Sequence, residues 1–112
     1  MLKKLIPSDD KLLHEKIVKC SYNLDRGKLS YTLTENMFHH NGVGLSANQI
    51  GIRERAFVMI SDMESQDTLT CFNPKIVKES KEMVTMEEGC LSYPELFLDI
   101  ARPETIVVKY ED

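Results

Sequence analysis

Two segments of the sequence combine turn-forming glycines with side chains that can do chemistry. The first segment, Gly42 to Gln49, has two glycines two positions apart. Such a pair lets the backbone turn tightly and approach another group closely. The segment ends on Gln49, whose amide can donate hydrogen bonds to a developing negative charge. No Gly-Lys-Ser/Thr follows, which disfavours a phosphate-binding loop, and the alternative interpretation is a helix end followed by a glycine turn.

The second segment, Glu87 to Pro94, centres on the dipeptide Gly89-Cys90. A glycine before a cysteine lets the thiolate project from a turn. A thiolate is a soft ligand for iron or zinc, and it can also be a nucleophile if a histidine supplies the base. A cysteine in a turn does not by itself distinguish these roles.

The three histidines do not form the pair that a helical metal site uses, in which the ligands are four residues apart on one face. The fourth residue after His14 is Val18, and His39 and His40 are adjacent, so their side chains point about 100° apart on a helix. We expect all three at the surface or at helix ends. The odd, sparse cysteine set is a poor disulfide framework, and we expect Cys20 and Cys71 in the core.

The elements that must position these groups are predicted to be helices first and strands afterwards. Ser8 is expected to cap a helix that begins at Asp9 and keeps helical apolar spacing as far as Leu24. A second helix is predicted at 30–40, ended by Asn41-Gly42. A polar loop is expected at 61–68. Strands are predicted at 56–60, 69–79, 82–88, 97–100 and 105–110.

The strand at 69–79 contains Asn73-Pro74, which predicts an edge strand or a kinked one. The strand at 82–88 alternates in a half-buried pattern. Helices followed by short, mostly antiparallel strands indicate an α+β fold, and a chain of 112 residues fits one domain, 1–112.

Composition narrows the classes of partner. The net charge is −4, and the sequence pI is about 5.4, which argues against non-specific binding of nucleic acid or anionic membranes. No apolar run approaches the roughly 18 residues that a membrane span needs. The first residues lack the apolar stretch of a secretory signal, so a cytoplasmic location is expected.

Taken together, the two segments resemble the motif pair of the peptide deformylases. That pair is Gly-x-Gly-Leu-(Ala/Ser)-Ala-x-Gln and, about forty residues later, Glu-Gly-Cys-Leu-Ser. Gly42 to Gln49 fits the first motif and Glu88 to Ser92 fits the second. The resemblance continues through Ala56-Phe57-Val58, Asn73-Pro74 and Arg102-Pro103.

The resemblance implies metal-dependent removal of the formyl group from the N-terminal formyl-methionine of new proteins. The metal of the family is Fe²⁺, with Zn²⁺ or Ni²⁺ as substitutes, and the resemblance implies Cys90 as a ligand. Gln49 and the backbone N–H of Leu91 would bind the oxyanion. Formyl-methionyl peptides of nascent chains are the implied partners, with association with the ribosome an open alternative.

The remaining implied roles concern the substrate and the support of the cysteine. Gly44 would hydrogen-bond the substrate peptide, and Val43 and Met86 would line the pocket for the methionine side chain. Glu88 and Arg102 would form an ion pair behind Cys90.

The family takes its other two ligands and its general acid/base from His-Glu-x-x-His, which these 112 residues lack. We therefore expect them alone to be inactive unless a second polypeptide or further chain supplies that helix. The alternatives are an inactive module that binds formyl-methionyl peptides or another partner, and a remnant without function. Without the central metal-binding helix, apolar faces of 56–60 and 83–86 are expected to be exposed and to favour self-association.

Overall fold

The computed structural model describes all of residues 1–112 and confirms the α+β class. Neither helix has the length and hydrophobicity that crossing a membrane requires. The elements, in chain order, are α1 (Lys11–His14), α2 (Arg26–His39), β1 (Gly44–Ser46), a 3₁₀ turn (Ala47–Ile50), β2 (Ala56–Asp62), β3 (Asp67–Glu79), β4 (Met83–Cys90), β5 (Tyr93–Pro103) and β6 (Ile106–Glu111).

The strands form two antiparallel sheets. Four strands make one sheet in the order β1-β2-β3-β6, and β4 and β5 form a separate hairpin. In the larger sheet Val58 of β2 lies between Leu45 of β1 and Thr70 of β3. In the hairpin Met86 is opposite Ile100. The hairpin therefore stands beside the larger sheet rather than extending it.

Helix α2 begins four residues earlier than the sequence predicted, at Arg26 instead of residue 30. The reason is a cap: the side chain of Asp25 accepts a hydrogen bond from the Lys28 backbone N–H at 3.0 Å. The predicted end is confirmed, because α2 stops at His39 and Asn41 adopts a positive φ of 59°. The buried apolar residues of α2 repeat every four positions and are Leu29, Leu33 and Met37.

The long first helix was a wrong prediction. Within 9–24 only Lys11–His14 is helical, its cap is Asp10 rather than Ser8, and the chain continues without regular structure from Glu15. The backbone N–H of Cys20 donates to the Asn73 side chain at 2.7 Å. Distant side chains thus satisfy backbone groups that a helix would have paired internally, and tertiary contacts override the helical spacing.

The core lies between α2 and one face of the larger sheet, as expected for an amphipathic helix on a sheet. Cys20 and Cys71 are both buried, as predicted. The one buried polar side chain is Asn36, which accepts from the Lys3 backbone N–H at 2.7 Å and donates to the Met1 carbonyl at 3.0 Å. The N-terminal segment is thereby tied to α2.

Strand β3 confirms the predicted kink but not an edge position, since it lies between β2 and β6. Asn73 has a φ of 51°, and the pairing with β6 shifts between Phe72 and Lys75. Pro74 has no N–H to donate to the ladder, so the irregularity falls where a proline would otherwise interrupt pairing.

Three other expectations need correction. The polar loop at 61–68 is shorter, because β2 continues to Asp62 and β3 begins at Asp67. On β2 the apolar face is not open, since Ala56 and Val58 are buried against α2. Strand β4 is not half-buried: every residue of 83–87 is exposed. The other strand predictions hold, with β5 longer and β6 displaced by one residue.

Candidate functional site

The 3₁₀ turn after β1 presents the amide of Gln49 in one orientation. Its oxygen, Oε1, accepts a hydrogen bond from the Ser46 backbone N–H at 2.9 Å. Gly51, with a φ of +80°, ends the turn in a conformation that glycine adopts without strain. The Nε2 group of Gln49 is left to point towards the β4–β5 hairpin.

The two sequence segments meet at this amide. Gln49 Nε2 donates to Ser92 Oγ at 3.0 Å and lies 3.6 Å from Cys90 Sγ. These residues are 41 and 43 positions away in the chain. The structure therefore brings together Gln49 and Cys90, which the sequence analysis singled out separately.

Cys90 is the last residue of β4 and the single exposed cysteine. A register shift between Gly89 and Cys90 breaks the regular pairing with β5. Irregularities of this kind commonly re-aim a side chain at a functional site. Cys71, by contrast, is in the core, where burial raises the pKa of its thiol because the thiolate is disfavoured.

Leu91 follows Cys90 in the turn between β4 and β5, and its side chain packs against the core. Its backbone N–H donates no hydrogen bond within the chain. A Cβ built on Gly42 would lie 2.6 Å from Leu91 Cδ1, so only glycine fits there without movement of Leu91. Close packing thus fixes the hairpin turn beside the 42–49 loop.

A cleft of about 550 Å³ separates that loop from the hairpin turn. This volume is within the range of small-molecule sites. Val43 is 63% exposed beside the cleft. The candidate site residues among its lining are Val43, Gly44, Gln49, Cys90 and Leu91.

Met86 is not among the residues that line this cleft. It lies in the middle of β4 and is 63% exposed. Of the six site residues named from the sequence, the structure gathers five and leaves Met86 apart.

The implied ion pair is present on the hairpin. Arg102 Nε donates to the two carboxylate oxygens of Glu88 at 2.8 and 2.6 Å. The hydrogen bond from Arg102 lowers the pKa of Glu88. Both residues line a second concavity of about 390 Å³, which shares Gly89, Cys90, Tyr93 and Leu96 with the first.

These residues alone do not fit a catalytic metal. No three His, Cys, Asp or Glu side chains lie close enough together to hold one. Two of the three histidines are engaged elsewhere: His14 contacts the Ser8 carbonyl at 3.1 Å, and His40 contacts the Lys3 carbonyl at 2.9 Å. Cys90 is one candidate ligand, whereas a catalytic zinc site uses three.

Ser92 is the residue at this site that sequence reasoning missed. It belongs to the matched Glu-Gly-Cys-Leu-Ser motif, but serine is common in turns and nothing in its type singled it out. Its contact with Gln49 joins residues 43 positions apart, which local pattern does not reveal.

Fold and site together define an α+β protein in which a glycine loop and a cysteine-bearing hairpin face one cleft. The family model described as polypeptide deformylase matches residues 2–112. The chain therefore belongs to the peptide deformylase family.

Curated relatives agree with this assignment. The peptide deformylase of Synechocystis sp. is 38% identical over 87 residues, which cover 76% of this chain and 46% of that protein. The Thermotoga maritima protein is 44% identical over 80 residues, or 71% of this chain and 47% of that one. The chain thus spans about half the length of the curated relatives it matches.

Solved structures show the same fold. The crystal structure of the Thermotoga maritima peptide deformylase has a TM-score of 0.86 at 35% identity, covering 100% of this chain and 75% of that chain. A Met-Ala-Ser-bound class I type b peptide deformylase from Acinetobacter baumannii has a TM-score of 0.84 at 27% identity, covering 98% and 76%.

Proposed function

We propose that this chain provides the oxyanion-binding and thiolate half of a peptide deformylase active site. The reaction is hydrolysis of the N-formyl group of formyl-methionyl peptides from nascent proteins, in the cytoplasm. The observation that carries the proposal is the convergence of the Gln49 amide on Cys90 and Ser92.

The chemistry of the amide fits formyl hydrolysis. Attack of water on the formyl carbon places negative charge on the formyl oxygen. The Gln49 Nε2 group, 3.6 Å from Cys90 Sγ, and the backbone N–H of Leu91, the residue after Cys90, are neutral donors. Donors held in place before the reaction stabilise such an oxyanion without reorganising.

The substrate peptide has a place to bind along β1. This strand pairs with β2 on one side only, so its other edge is available to an extended peptide. Gly44 lies on that strand, and the exposed Val43 side chain offers an apolar contact for a methionine. Recognition of Met-Ala-Ser by the Acinetobacter protein supports a peptide of this kind as the ligand.

We further propose that the 112 residues do not turn over substrate by themselves. Cys90 would contribute one ligand to Fe²⁺, or to Zn²⁺ or Ni²⁺, and a catalytic site needs two more. A general acid/base is also required. Both would have to come from chain outside these residues or from a second polypeptide.

Binding and turnover are tested separately. Titration of ¹⁵N-labelled protein with formyl-Met-Ala-Ser is expected to shift the amide signals of Gly44, Gln49 and Leu91. Unformylated Met-Ala-Ser serves as the control and should shift them less. No shift with millimolar formylated peptide would count against the proposed site.

Hydrolysis of formyl-Met-Ala is followed with Fe²⁺ or Ni²⁺ under reducing conditions. No turnover is expected. Turnover that Cys90→Ala abolishes would refute the inactivity of the isolated chain. Binding without turnover is the result expected both for the proposed half of an active site and for the alternative of an inactive peptide-binding module. Absence of binding as well as of turnover would favour a remnant.

A further inference from the structure

We propose that Ser92 is a positioning residue, whose hydroxyl orients the amide of Gln49 so that one N–H faces the space beside Cys90. This deepens the proposed function and rests on it, because the oriented N–H is the one that would meet the formyl oxygen. The direct contact is the hydrogen bond from Gln49 Nε2 to Ser92 Oγ at 3.0 Å.

The opposite end of the amide decides which atom faces the hairpin. The Ser46 backbone N–H is a donor, and it lies 2.9 Å from Gln49 Oε1. A flipped amide would put its NH₂ group against this N–H, two donors with no acceptor between them. The loop therefore directs Nε2, rather than the oxygen, towards Ser92 and Cys90.

The two hydrogens of Nε2 are held unequally. One is engaged by Ser92 Oγ at 3.0 Å, an ordinary hydrogen-bond distance. The other has the Cys90 sulfur at 3.6 Å, and sulfur is a weak acceptor. The second N–H is therefore the one an incoming oxyanion can take, while Ser92 keeps the first.

The hydroxyl is itself well placed to act as an anchor. Ser92 is half-buried in the turn that follows Leu91, and Leu91 packs on Gly42 of the loop. The distance between the hydroxyl and the loop is thus set by apolar packing rather than by the amide. Without the hydroxyl, only the hydrogen bond from Ser46 would restrain the terminal torsion angle of Gln49. Such torsion angles have broad distributions, so the amide would be less well oriented.

The side-chain amide signals of ¹⁵N-labelled protein report this arrangement directly. The chain has two glutamines, and Gln66, whose amide contacts the Met63 carbonyl at 2.9 Å in an exposed turn, serves as an internal reference. One Gln49 Nε2 proton is expected to exchange with water about fivefold more slowly than the other proton on the same nitrogen, the ratio that one hydrogen bond of about 1 kcal/mol gives. It should also show a nuclear Overhauser effect to the Ser92 β-protons.

Substitutions then separate positioning from mere structure. Ser92→Ala is expected to remove the slow exchange of the Gln49 Nε2 proton and to bring the chemical shifts of the two Nε2 protons closer together. Ser92→Thr, which keeps the hydroxyl, is expected to retain both the slow exchange and the shift difference. Ser65→Ala, a serine beside Gln66, is the matched control and should leave Gln49 unchanged. An unaltered Gln49 amide in folded Ser92→Ala would overturn the proposal.

The wild-type protein provides a test that needs no variant. Absence of both the slow proton and the Overhauser effect would overturn the positioning role, even if Ser92→Ala failed to fold. These amide measurements are independent of the peptide titration. Failure to bind formyl-Met-Ala-Ser would reject the proposed function, whereas a freely rotating Gln49 amide would reject the role of Ser92.

Discussion

Gly42 and Leu91 approach so closely that a Cβ on Gly42 would lie 2.6 Å from Leu91 Cδ1. Gly42 follows the end of α2, and Leu91 occupies the turn of the β4–β5 hairpin. Leu91 also packs against the core. This contact docks the turn that carries Cys90 onto the loop that carries Gln49.

Gly42→Ala is therefore expected to destabilise the fold. Forcing extra volume into a packed contact costs about 1–3 kcal/mol, and the cost here is expected at the lower end, because the atom that must move is at the end of the Leu91 side chain. The measurement is urea denaturation, followed by circular dichroism. Gly27→Ala is the control, because the nearest atom to its Cβ would be 3.7 Å away and alanine favours a helix. Equal stability of Gly42→Ala and wild type would contradict the close packing.

The three thiols are expected to react at very different rates. Cys90 is exposed, whereas Cys20 is 8% exposed and Cys71 is 2% exposed. Burial also raises the pKa of Cys71, which leaves less of the reactive thiolate. Titration with a chromogenic disulfide should show one fast thiol in the native protein and three in urea. Cys90→Ser should remove the fast phase, and a fast phase that persists would show that the core is open.

The carboxylate of Glu111 is expected to titrate below its ordinary value of 4.5. The hydrogen bond from Arg26 is the main cause of the lowered pKa, and the one from Asn73 adds to it. A lowered pKa in the folded state means that the contact stabilises the fold above about pH 4.5, and that this contribution is lost as the pH falls through the folded pKa.

The measurement for Glu111 is a carboxyl ¹³C pH titration. Arg26→Gln should bring the Glu111 pKa back towards 4.5. Arg53→Gln is the control, because Arg53 pairs with Glu15 and not with Glu111. If the Glu111 pKa is the same in Arg26→Gln as in the wild type, the hydrogen bond from Arg26 is not the cause of the lowered pKa.

The hairpin is expected to mediate self-association of the isolated chain. Val84, Met86, Leu98 and Ile100 project from one face of β4 and β5. An exposed apolar face of this kind favours association. Met86→Lys is expected to weaken association about tenfold, the effect of withholding one methionine from an interface.

Sedimentation equilibrium over a range of concentrations tests this association. Met63→Lys is a matched control, because Met63 is 62% exposed in a turn and Met86 is 63% exposed on the hairpin. A wild-type protein that stays monomeric at every concentration would show that the apolar face does not bring copies together.

The predictions from sequence succeeded where the pattern was local. Helix α2 and the buried position of Cys20 and Cys71 follow from apolar periodicity and residue type. The kink in β3 follows from the chemistry of Asn73-Pro74. Each of these depends on residues that are close together in the chain.

Predictions failed where distant groups compete with local preference. The segment 15–24 has helical spacing, yet it is not helical, because the backbone N–H groups of Cys20 and Ser21 donate to the side chains of Asn73 and Glu54. The alternation of β4 suggested one buried face, but burial depends on what packs against a strand, and nothing among these 112 residues covers it.

The sequence by itself therefore determined the family, the α+β order of elements and the two motifs that carry Gln49 and Cys90. Tertiary structure alone decided that these motifs meet, that Ser92 shares the Gln49 amide, and that Met86 stands apart. The physical reason is that hydrogen bonds act over about 3 Å. Only packing of the hairpin turn against the loop brings residues some forty positions apart within that reach.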